Sequence, residues 1–210
     1  MNLREHLGAI DVYLLDQLLK GRLLPGMSLL DAGCGSGRNL VYFLRHGYEV
    51  RGVDESPRAV EQVRLLAREL APEVPPESFQ VSDLAEIPFP SDRFDAVLCS
   101  AVLHFSRDEG HFDRMLTEMW RVLKPGGLFF ARLASTIGVE RLIQPLQGRW
   151  YALPDGTERF LVDEGMLEQR TARLGGIWLE PLKTTVVQNQ RSMTTWVLQK
   201  SGDGRGSSMP

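Results

Sequence analysis

The 210-residue sequence has little of what several classes of protein require. Its two cysteines, Cys34 and Cys99, are too few to form a zinc site by themselves and are typical of reduced, buried thiols. No apolar run approaches the ~20 residues of a membrane span, and the N-terminus has no signal-peptide pattern. The net charge of −3 gives no excess of cations for binding nucleic acid. We therefore expect a cytoplasmic protein with no metal, membrane or nucleic-acid partner.

Residues 29–39, with the sequence LLDAGCGSGRN, predict a nucleotide-type binding loop. A short apolar strand ends at Asp31, and a turn with three glycines leads toward a helix, so a ligand can approach the backbone closely. A P-loop is excluded because the chain has no Gly-Lys pair, and the dinucleotide fingerprint fails because Arg38 stands where its third glycine belongs. The second strand ends at Asp54, whose carboxylate is suitably placed for two ribose hydroxyls.

The remaining pattern predicts alternating helices and strands in one domain over residues 1–200. We predict helices over 3–20, about 37–46, 56–70, 109–123 and 163–174, and strands over 28–31, 49–53, 79–81, 94–99, 128–133, 176–187 and 193–198. Residues 148–162 read as a β-hairpin around Pro154-Asp155-Gly156, placed after the fifth strand as a lid. The polar, glycine-rich residues 201–210 are predicted to be a disordered tail.

Four segments together resemble a known family. They are the glycine loop, Asp54 after strand two, VSDLAEIPFPSDRFDAVLCSAVLHF from Val81 to Phe105, and LKPGGLFFARLA from Leu123 to Ala134. In this order and spacing they resemble the class I S-adenosylmethionine-dependent methyltransferases, closest to the type 11 small-molecule group, and the Gly-Arg-Asn ending is similar to the tellurite-resistance-type branch. The resemblance implies an α/β, Rossmann-like sheet of seven mostly parallel strands, ordered 3-2-1-4-5-7-6 with strand seven antiparallel, and helices on both faces.

The same resemblance implies S-adenosylmethionine as cofactor and S-adenosylhomocysteine as product. It assigns the sugar to Asp54 and the adenine to Asp83, with Leu84 supplying a backbone N–H. Ser100, at the carboxyl end of strand four, is expected beside the methionine part. The full predicted cofactor site is Tyr13, Asp31, Gly33, Cys34, Gly35, Gly37, Asn39, Asp54, Glu55, Asp83, Leu84 and Ser100.

The sequence says less about the residues that contact the methyl acceptor than about those that bind the cofactor. Methyl transfer needs no covalent enzyme intermediate, so alignment can supply much of the catalysis. His104 is the best candidate for a general base because imidazole titrates near neutrality, although it could simply line the pocket. Arg132 and Arg191 could hold a carboxylate or phosphate of the acceptor, or could form internal ion pairs. Tyr151 of the hairpin is a further candidate to contact the acceptor.

Two alternatives use the same sheet. An aminopropyltransferase would need a second acidic site for a polyamine, and no clear Asp-x-x-Asp pair follows strand four. A non-catalytic protein could keep the fold as a binding scaffold, which the intact glycine loop, Asp54 and Asp83 disfavour but do not exclude. The sequence does not name the acceptor or the oligomeric state. Tellurite or a related oxyanion ranks below a small organic metabolite.

Overall fold

The computed structural model describes residues 2–202, in which helices alternate with the strands of one large sheet. The α-helices are α1 (Leu3–Leu7), α2 (Val12–Leu19), α3 (Val41–Arg45), α4 (Pro57–Leu70), α5 (Glu109–Val122) and α6 (Glu164–Leu174). The strands of the large sheet are β1 (Ser28–Ala32), β2 (Glu49–Asp54), β3 (Phe79–Val81), β4 (Phe94–Ser100), β5 (Leu123–Ala134), β9 (Gly176–Trp178), β10 (Lys183–Val187) and β11 (Arg191–Lys200). Most of the predicted tail, from residue 203 onward, lies outside the described residues.

The strand order confirms the predicted topology. The sheet runs β10-β11-β5-β4-β1-β2-β3, and the pairs among β1 to β5 are parallel. β11 is antiparallel to both β5 and β10, so it is the predicted antiparallel strand seven. The predicted sixth strand is interrupted: β9 and β10 pair separately with β11. Since the carboxyl ends of β1, β2 and β4 meet at one edge, the loops that follow them converge there.

Side-chain alternation along the central strands builds two apolar clusters, one on each face of the sheet. Val97 and Cys99 of β4 pack into one cluster, whereas Ala96 and Leu98 pack into the other. This explains the continuous apolar run in the sequence of β4, because a parallel strand covered on both faces has no solvent-facing side. No helix within residues 2–202 has the length and apolar character needed to cross a membrane.

The predicted N-terminal helix over residues 3–20 is wrong in one respect, since it is two helices. Gly8 ends α1 with a φ of 63°, a conformation that glycine adopts without steric cost. Asp11 then caps α2, its side chain accepting a hydrogen bond from the backbone N–H of Tyr13. Because of this break, the other carboxylate oxygen of Asp11, Oδ2, faces the sheet, where it meets Ser100 and Arg132.

Two further boundaries differ from prediction. α3 begins at Val41 rather than near Gly37, because residues 37–40 continue the glycine turn. β5 begins at Leu123, so Lys124-Pro125-Gly126-Gly127 ends α5 and is itself part of the strand. By contrast, Ser56 caps α4 and Asp163 caps α6 as the sequence predicts, each accepting a hydrogen bond from a backbone N–H in the first turn.

The predicted hairpin is confirmed as part of a small antiparallel sheet of β6 (Gln144–Pro145), β7 (Trp150–Ala152) and β8 (Glu158–Phe160). Phe160 is buried and stacks on Phe112 of α5. Trp150 donates its indole N–H to the carbonyl of Arg107. These two side chains fix the hairpin to the body of the protein beside the edge where the strand-end loops converge.

Candidate functional site

A cavity of about 750 Å³ lies at the carboxyl ends of the parallel strands. Its floor is formed by the loops after β1, β2, β3 and β4, and the hairpin and the turn between β10 and β11 form the opposite wall. Parallel sheets of this kind bind ligands at such an edge, where the strand order reverses. The geometry therefore puts a single binding cleft where the sequence predicts one.

The glycine loop is held in place by close packing on two sides. Gly33 has a φ of 81°, and a Cβ there would lie 2.4 Å from Val102 Cγ2. Gly37 has a φ of 83°, and a Cβ there would lie 2.8 Å from side-chain carbons of Val63 and Leu66. Gly35 also has positive φ, but a Cβ on it would meet nothing within 4 Å. Gly33 and Gly37 thus serve packing, while Gly35 leaves open space at the cleft.

Asp54 at the end of β2 is anchored by backbone donors. Its Oδ2 accepts a hydrogen bond from the Gly35 N–H at 2.9 Å, and its Oδ1 accepts one from the Ser56 N–H at 2.9 Å. Each carboxylate oxygen retains a further lone pair. Asp54 and the exposed Glu55 both line the cleft, so this end presents acceptors for hydroxyl groups.

Asp83, in the loop after β3, is held by three neighbours. The Ala85 N–H donates to Oδ1 at 2.8 Å, Arg107 Nη2 donates to Oδ2 at 2.9 Å, and His111 Nε2 lies 3.6 Å from Oδ1. The backbone hydrogen bond from Ala85, together with the neighbouring His111 and Arg107, lowers the pKa of Asp83 below its ordinary value. Asp83 is therefore a fixed anion beside the buried side chain of Leu84.

Asp31 lies beneath the glycine loop and does not line the cleft. It is 1% exposed, and neither carboxylate oxygen has a hydrogen-bond partner among residues 2–202. Burial raises the pKa of Asp31 to about 7, with Arg38 opposing and Asp54 adding to the rise. Asp31 is thus a buried carboxyl group that holds its proton more tightly than an exposed aspartate does.

A chain of polar contacts joins the N-terminal segment to the cleft. Asp11 Oδ2 accepts from Arg132 Nη1 at 3.1 Å and from Ser100 Oγ at 3.3 Å. Its backbone N–H donates to Asn39 Oδ1 at 3.0 Å, and Arg38 Nη2 donates to Ser100 Oγ at 3.2 Å. Asp11 is 5% exposed, so the start of α2 acts as a buried clamp on the glycine loop, β4 and β5.

His104 lines the cleft in the short 3-10 turn Leu103–Phe105 that follows β4. Burial, together with the positive charges of Arg159 and Arg132, lowers its pKa to about 4. The expectation of titration near neutrality is therefore wrong for this histidine. Its Nδ1 accepts a hydrogen bond from the Ala134 N–H at 3.3 Å, so the neutral ring carries its proton on Nε2. At neutral pH the ring is an uncharged hydrogen-bond donor.

The opposite wall of the cleft is basic. Arg132 of β5 pairs with Asp11 and lies over the ring of Tyr13 at 5.4 Å. Arg159 of β8 lies over the ring of Phe105 at 5.0 Å. Arg191, at the start of β11, lines the same cavity with the apolar side chains Leu153, Val187 and Met193. The cleft is thus acidic at the ends of β2 and β3 and basic under the hairpin.

The two cysteines are free and buried. Burial raises the pKa of both Cys34 and Cys99 far above the ordinary thiol value, so both remain protonated and unreactive at neutral pH. Cys34 contributes only its position in the glycine loop to the cleft. Within residues 2–202, no cluster of three or more His, Cys, Asp or Glu side chains is arranged to hold a metal ion.

Most predicted site residues do meet at this cleft. Those that line it are Gly33, Cys34, Gly35, Asn39, Asp54, Glu55, Asp83, Leu84, Ser100, His104, Arg132 and Arg191. Besides Asp31, three predicted residues lie elsewhere. Tyr13 hydrogen-bonds to Thr185 Oγ1, Gly37 packs on α4, and Tyr151 packs in a small apolar cluster with Leu161. Tyr13 and Gly37 support the cleft from outside.

The sequence reasoning missed Arg38, Asp155, Thr157 and Arg159 as lining residues. The hairpin did carry a usable signal. In a strand, alternate residues share a face, so the buried Phe160 predicts that Arg159 points the other way. Which side of the hairpin faces the cleft depends on its tertiary placement, and no local pattern indicates it.

Comparison with known proteins agrees with this geometry. A family model described as a methyltransferase domain matches residues 30–131. The ubiquinone biosynthesis O-methyltransferase of Alkalilimnicola ehrlichii is 34% identical over 143 residues, which are 64% of this chain and 53% of that protein. The chain spans about half the length of the first curated relatives that it matches.

Solved structures share the fold at lower identity. A SAM-dependent methyltransferase from Methanosarcina mazei superposes with a TM-score of 0.73 at 21% identity, covering 89% of this chain and 98% of that one. The 1,6-didemethyltoxoflavin-N1-methyltransferase of Burkholderia thailandensis, solved with 1,6-didemethyltoxoflavin and S-adenosylhomocysteine bound, gives a TM-score of 0.67 at 19% identity. The superposition covers 95% of this chain and 81% of the chain of that enzyme.

Proposed function

We propose that the chain, whose residues 30–131 match a methyltransferase-domain family model, is a class I S-adenosylmethionine-dependent methyltransferase that transfers a methyl group from S-adenosylmethionine to a small-molecule acceptor. The observation that carries the proposal is the convergence of the glycine loop, Asp54 and Asp83 on one cavity. We further propose a single domain over 1–200, with residues 148–162 as its lid, acting in the cytoplasm without a nucleic-acid partner. Membership of the tellurite-resistance-like branch stays a prediction.

The residues of the acidic half of the cleft fit the cofactor. Asp54 has lone pairs left for the two ribose hydroxyls after its backbone contacts. Asp83 is an anion beside Leu84, suited to an exocyclic amino group. Arg38 and Ser100 lie at the glycine loop, where the methionine part of the cofactor would meet them. The open space at Gly35 lets the cofactor approach the protein backbone closely. The buried, unpartnered Asp31 is suited to a nearby ammonium group through water.

Bound there, the cofactor supplies an electrophilic methyl group on a sulfonium. What the chain supplies is alignment, because holding two reactants in line replaces a bimolecular encounter. The hairpin side chains restrict access of water, and Arg132 and Arg191 are proposed to orient the acceptor. His104 stays the proposed catalytic residue. With its proton on Nε2, it acts by donating a hydrogen bond to the acceptor, and a role as base requires the other tautomer. Tyr151 is proposed to act only indirectly, through the hairpin.

The test is binding followed by turnover. Calorimetry with S-adenosylmethionine and S-adenosylhomocysteine should show binding, and Asp54→Asn or Asp83→Asn should weaken it about tenfold or more, since each removes a charged hydrogen-bond acceptor. Glu168→Gln, which removes one carboxylate from the exposed face of α6, is the matched control and should bind normally. Labelled methyl transfer across metabolite pools then identifies acceptors. A chain that binds neither molecule refutes the proposal.

The same assays separate the alternatives. A binding scaffold would bind the cofactor and release no S-adenosylhomocysteine with any pool. An aminopropyltransferase would prefer the decarboxylated donor and a polyamine. The basic wall disfavours that second case, because Arg159 and Arg191 would repel a polycation.

A further inference from the structure

Two arginines reach the acceptor side of the cleft from separate elements. Arg159 belongs to β8 of the hairpin, and Arg191 opens β11. Arg191 pairs with Val187 across a tight turn in which Gln188 and Asn189 both have positive φ, so its position is fixed by the turn. Arg159 is fixed by its stack on Phe105 and by donating from Nη1 to the carbonyl of Glu158 at 2.7 Å.

Neither guanidinium is in direct contact with a carboxylate. Among residues 2–202, no carboxylate oxygen lies within 4.0 Å of either guanidinium. Asp155 lines the same cavity, but its Oδ1 accepts both the N–H and the hydroxyl of Thr157. Two other arginines, the buried Arg170 and the half-buried Arg149, do pair with carboxylates: Arg170 with Glu109 and Asp113, and Arg149 with Asp163. Arg159 is half-buried and Arg191 is exposed. Arg159 and Arg191 are therefore available to a ligand.

The rest of this wall offsets the two arginines only in part. Asp155 supplies one negative charge on the same wall; its hydrogen bonds to Thr157, together with the charges of Arg191 and Arg159, lower its pKa. Arg132 is already balanced by Asp11, and His104 is neutral, so the wall keeps an excess of positive charge. Burial is the main cause of the lowered pKa of His104, and the charges of Arg159 and Arg132 add to it. The same cavity is also lined by the apolar side chains of Phe105, Leu153, Val187 and Met193.

From this arrangement we propose that the acceptor is a small organic anion with an apolar body, whose carboxylate or phosphate group is held by Arg159 and Arg191. Guanidinium groups pair with such oxygens in a bidentate manner, and these contacts are stronger than neutral hydrogen bonds. A cationic acceptor would meet like charges in the same place. The inference rests on the proposed function, because that function assigns the acidic half of the cleft to the cofactor.

The test measures charge selectivity directly. With S-adenosylhomocysteine saturating the chain, calorimetry compares 4-hydroxybenzoate, its neutral amide 4-hydroxybenzamide, and phenyl phosphate. Wild type should bind at least one of the two anions about tenfold more tightly than the amide. Arg159→Gln combined with Arg191→Gln should abolish that preference, while Arg68→Gln, on the exposed face of α4, should keep it. The tighter of the two anions shows whether the site takes a carboxylate or a phosphate.

Two results overturn the inference. One is that the wild-type protein binds neither anion more tightly than the amide, either because all three compounds bind alike or because none of them binds. The other is a preference that survives in the double variant. Binding of S-adenosylhomocysteine is measured first and in every variant, so loss of the cofactor site is detected separately from loss of anion selectivity. Thermal unfolding of the double variant shows that the chain still folds.

Discussion

Substitution of Arg132 by Met should destabilise the protein through the carboxylate that it leaves behind. The Asp11 side chain is 2% exposed and the Arg132 side chain 20% exposed, and they meet at 3.1 Å. Breaking a buried pair costs ~3–5 kcal/mol. Asp11 would keep the Tyr13 N–H and the Ser100 hydroxyl as donors, so we expect the lower end of that range, about 3 kcal/mol.

A double-mutant cycle isolates the pair itself. Asp11→Asn alone should cost about 1.5 kcal/mol, because Arg132 retains partial exposure and its contact with Tyr13. The double variant should lose less than the sum, with a coupling of about 2 kcal/mol. Urea unfolding gives each free energy. In a chain of this size 1 kcal/mol corresponds to roughly 2–4 °C in Tm.

Arg191→Met is the matched control, since Arg191 has no carboxylate within 4.0 Å among residues 2–202, and it should change stability by no more than about 0.5 kcal/mol. Additive effects of Asp11→Asn and Arg132→Met would refute the reasoning. So would a loss in Arg191→Met as large as that in Arg132→Met, since the cost would then follow from removing any arginine at the cleft.

Three further predictions concern the loop and the buried titratable groups. Gly33→Ala should cost ~2 kcal/mol or more from its φ and the contact with Val102, whereas Gly35→Ala should cost ~1 kcal/mol, and Val102→Ala should partly rescue the former in urea unfolding. As the pH falls from 7 to 4, the wild-type protein should lose about 3 kcal/mol of unfolding free energy relative to His104→Gln. The reason is that the unfolded chain binds a proton at His104 that the folded ring, with a pKa of about 4, does not bind. Asp31 acts in the opposite direction. As the pH rises from 4 to 7, the wild-type protein should lose up to about 4 kcal/mol of unfolding free energy relative to Asp31→Asn, because the folded state holds a proton on Asp31 that the unfolded chain releases. Flat difference curves for either variant would contradict the assigned burial effect.

Local signals in the sequence were sufficient where one element decides the structure. Ser56-Pro57 predicts the start of α4 because capping and the proline φ act within one turn. The glycine spacing predicts the loop because only glycine fits where Gly33 meets Val102. The strand order came from family resemblance, since strand periodicity alone does not order strands in a sheet.

The failures arise where distant parts of the chain meet. Apolar periodicity runs through residues 3–20, although Gly8 ends the first helix and Asp11 caps the second. The contacts of the Asp11 carboxylate with Ser100 and Arg132, from β4 and β5, have no local signal at all. The pKa of His104 likewise depends on Arg159, 55 positions later in the chain. No window of sequence around either residue contains those partners.

The position of β11 has a consequence for how the protein is made. It is the last strand described along the chain, yet it lies inside the sheet, paired with β5 on one side and β10 on the other. While the ribosome is still extending the chain, β5 is left with an open edge that could pair with another chain. Arg132 on β5 and Arg191 on β11 come to line the same cavity only when this strand inserts. The basic wall is thus completed only after β11 has been synthesised, whereas β1, β2 and β4, which position the nucleotide-binding loop, can pair before that.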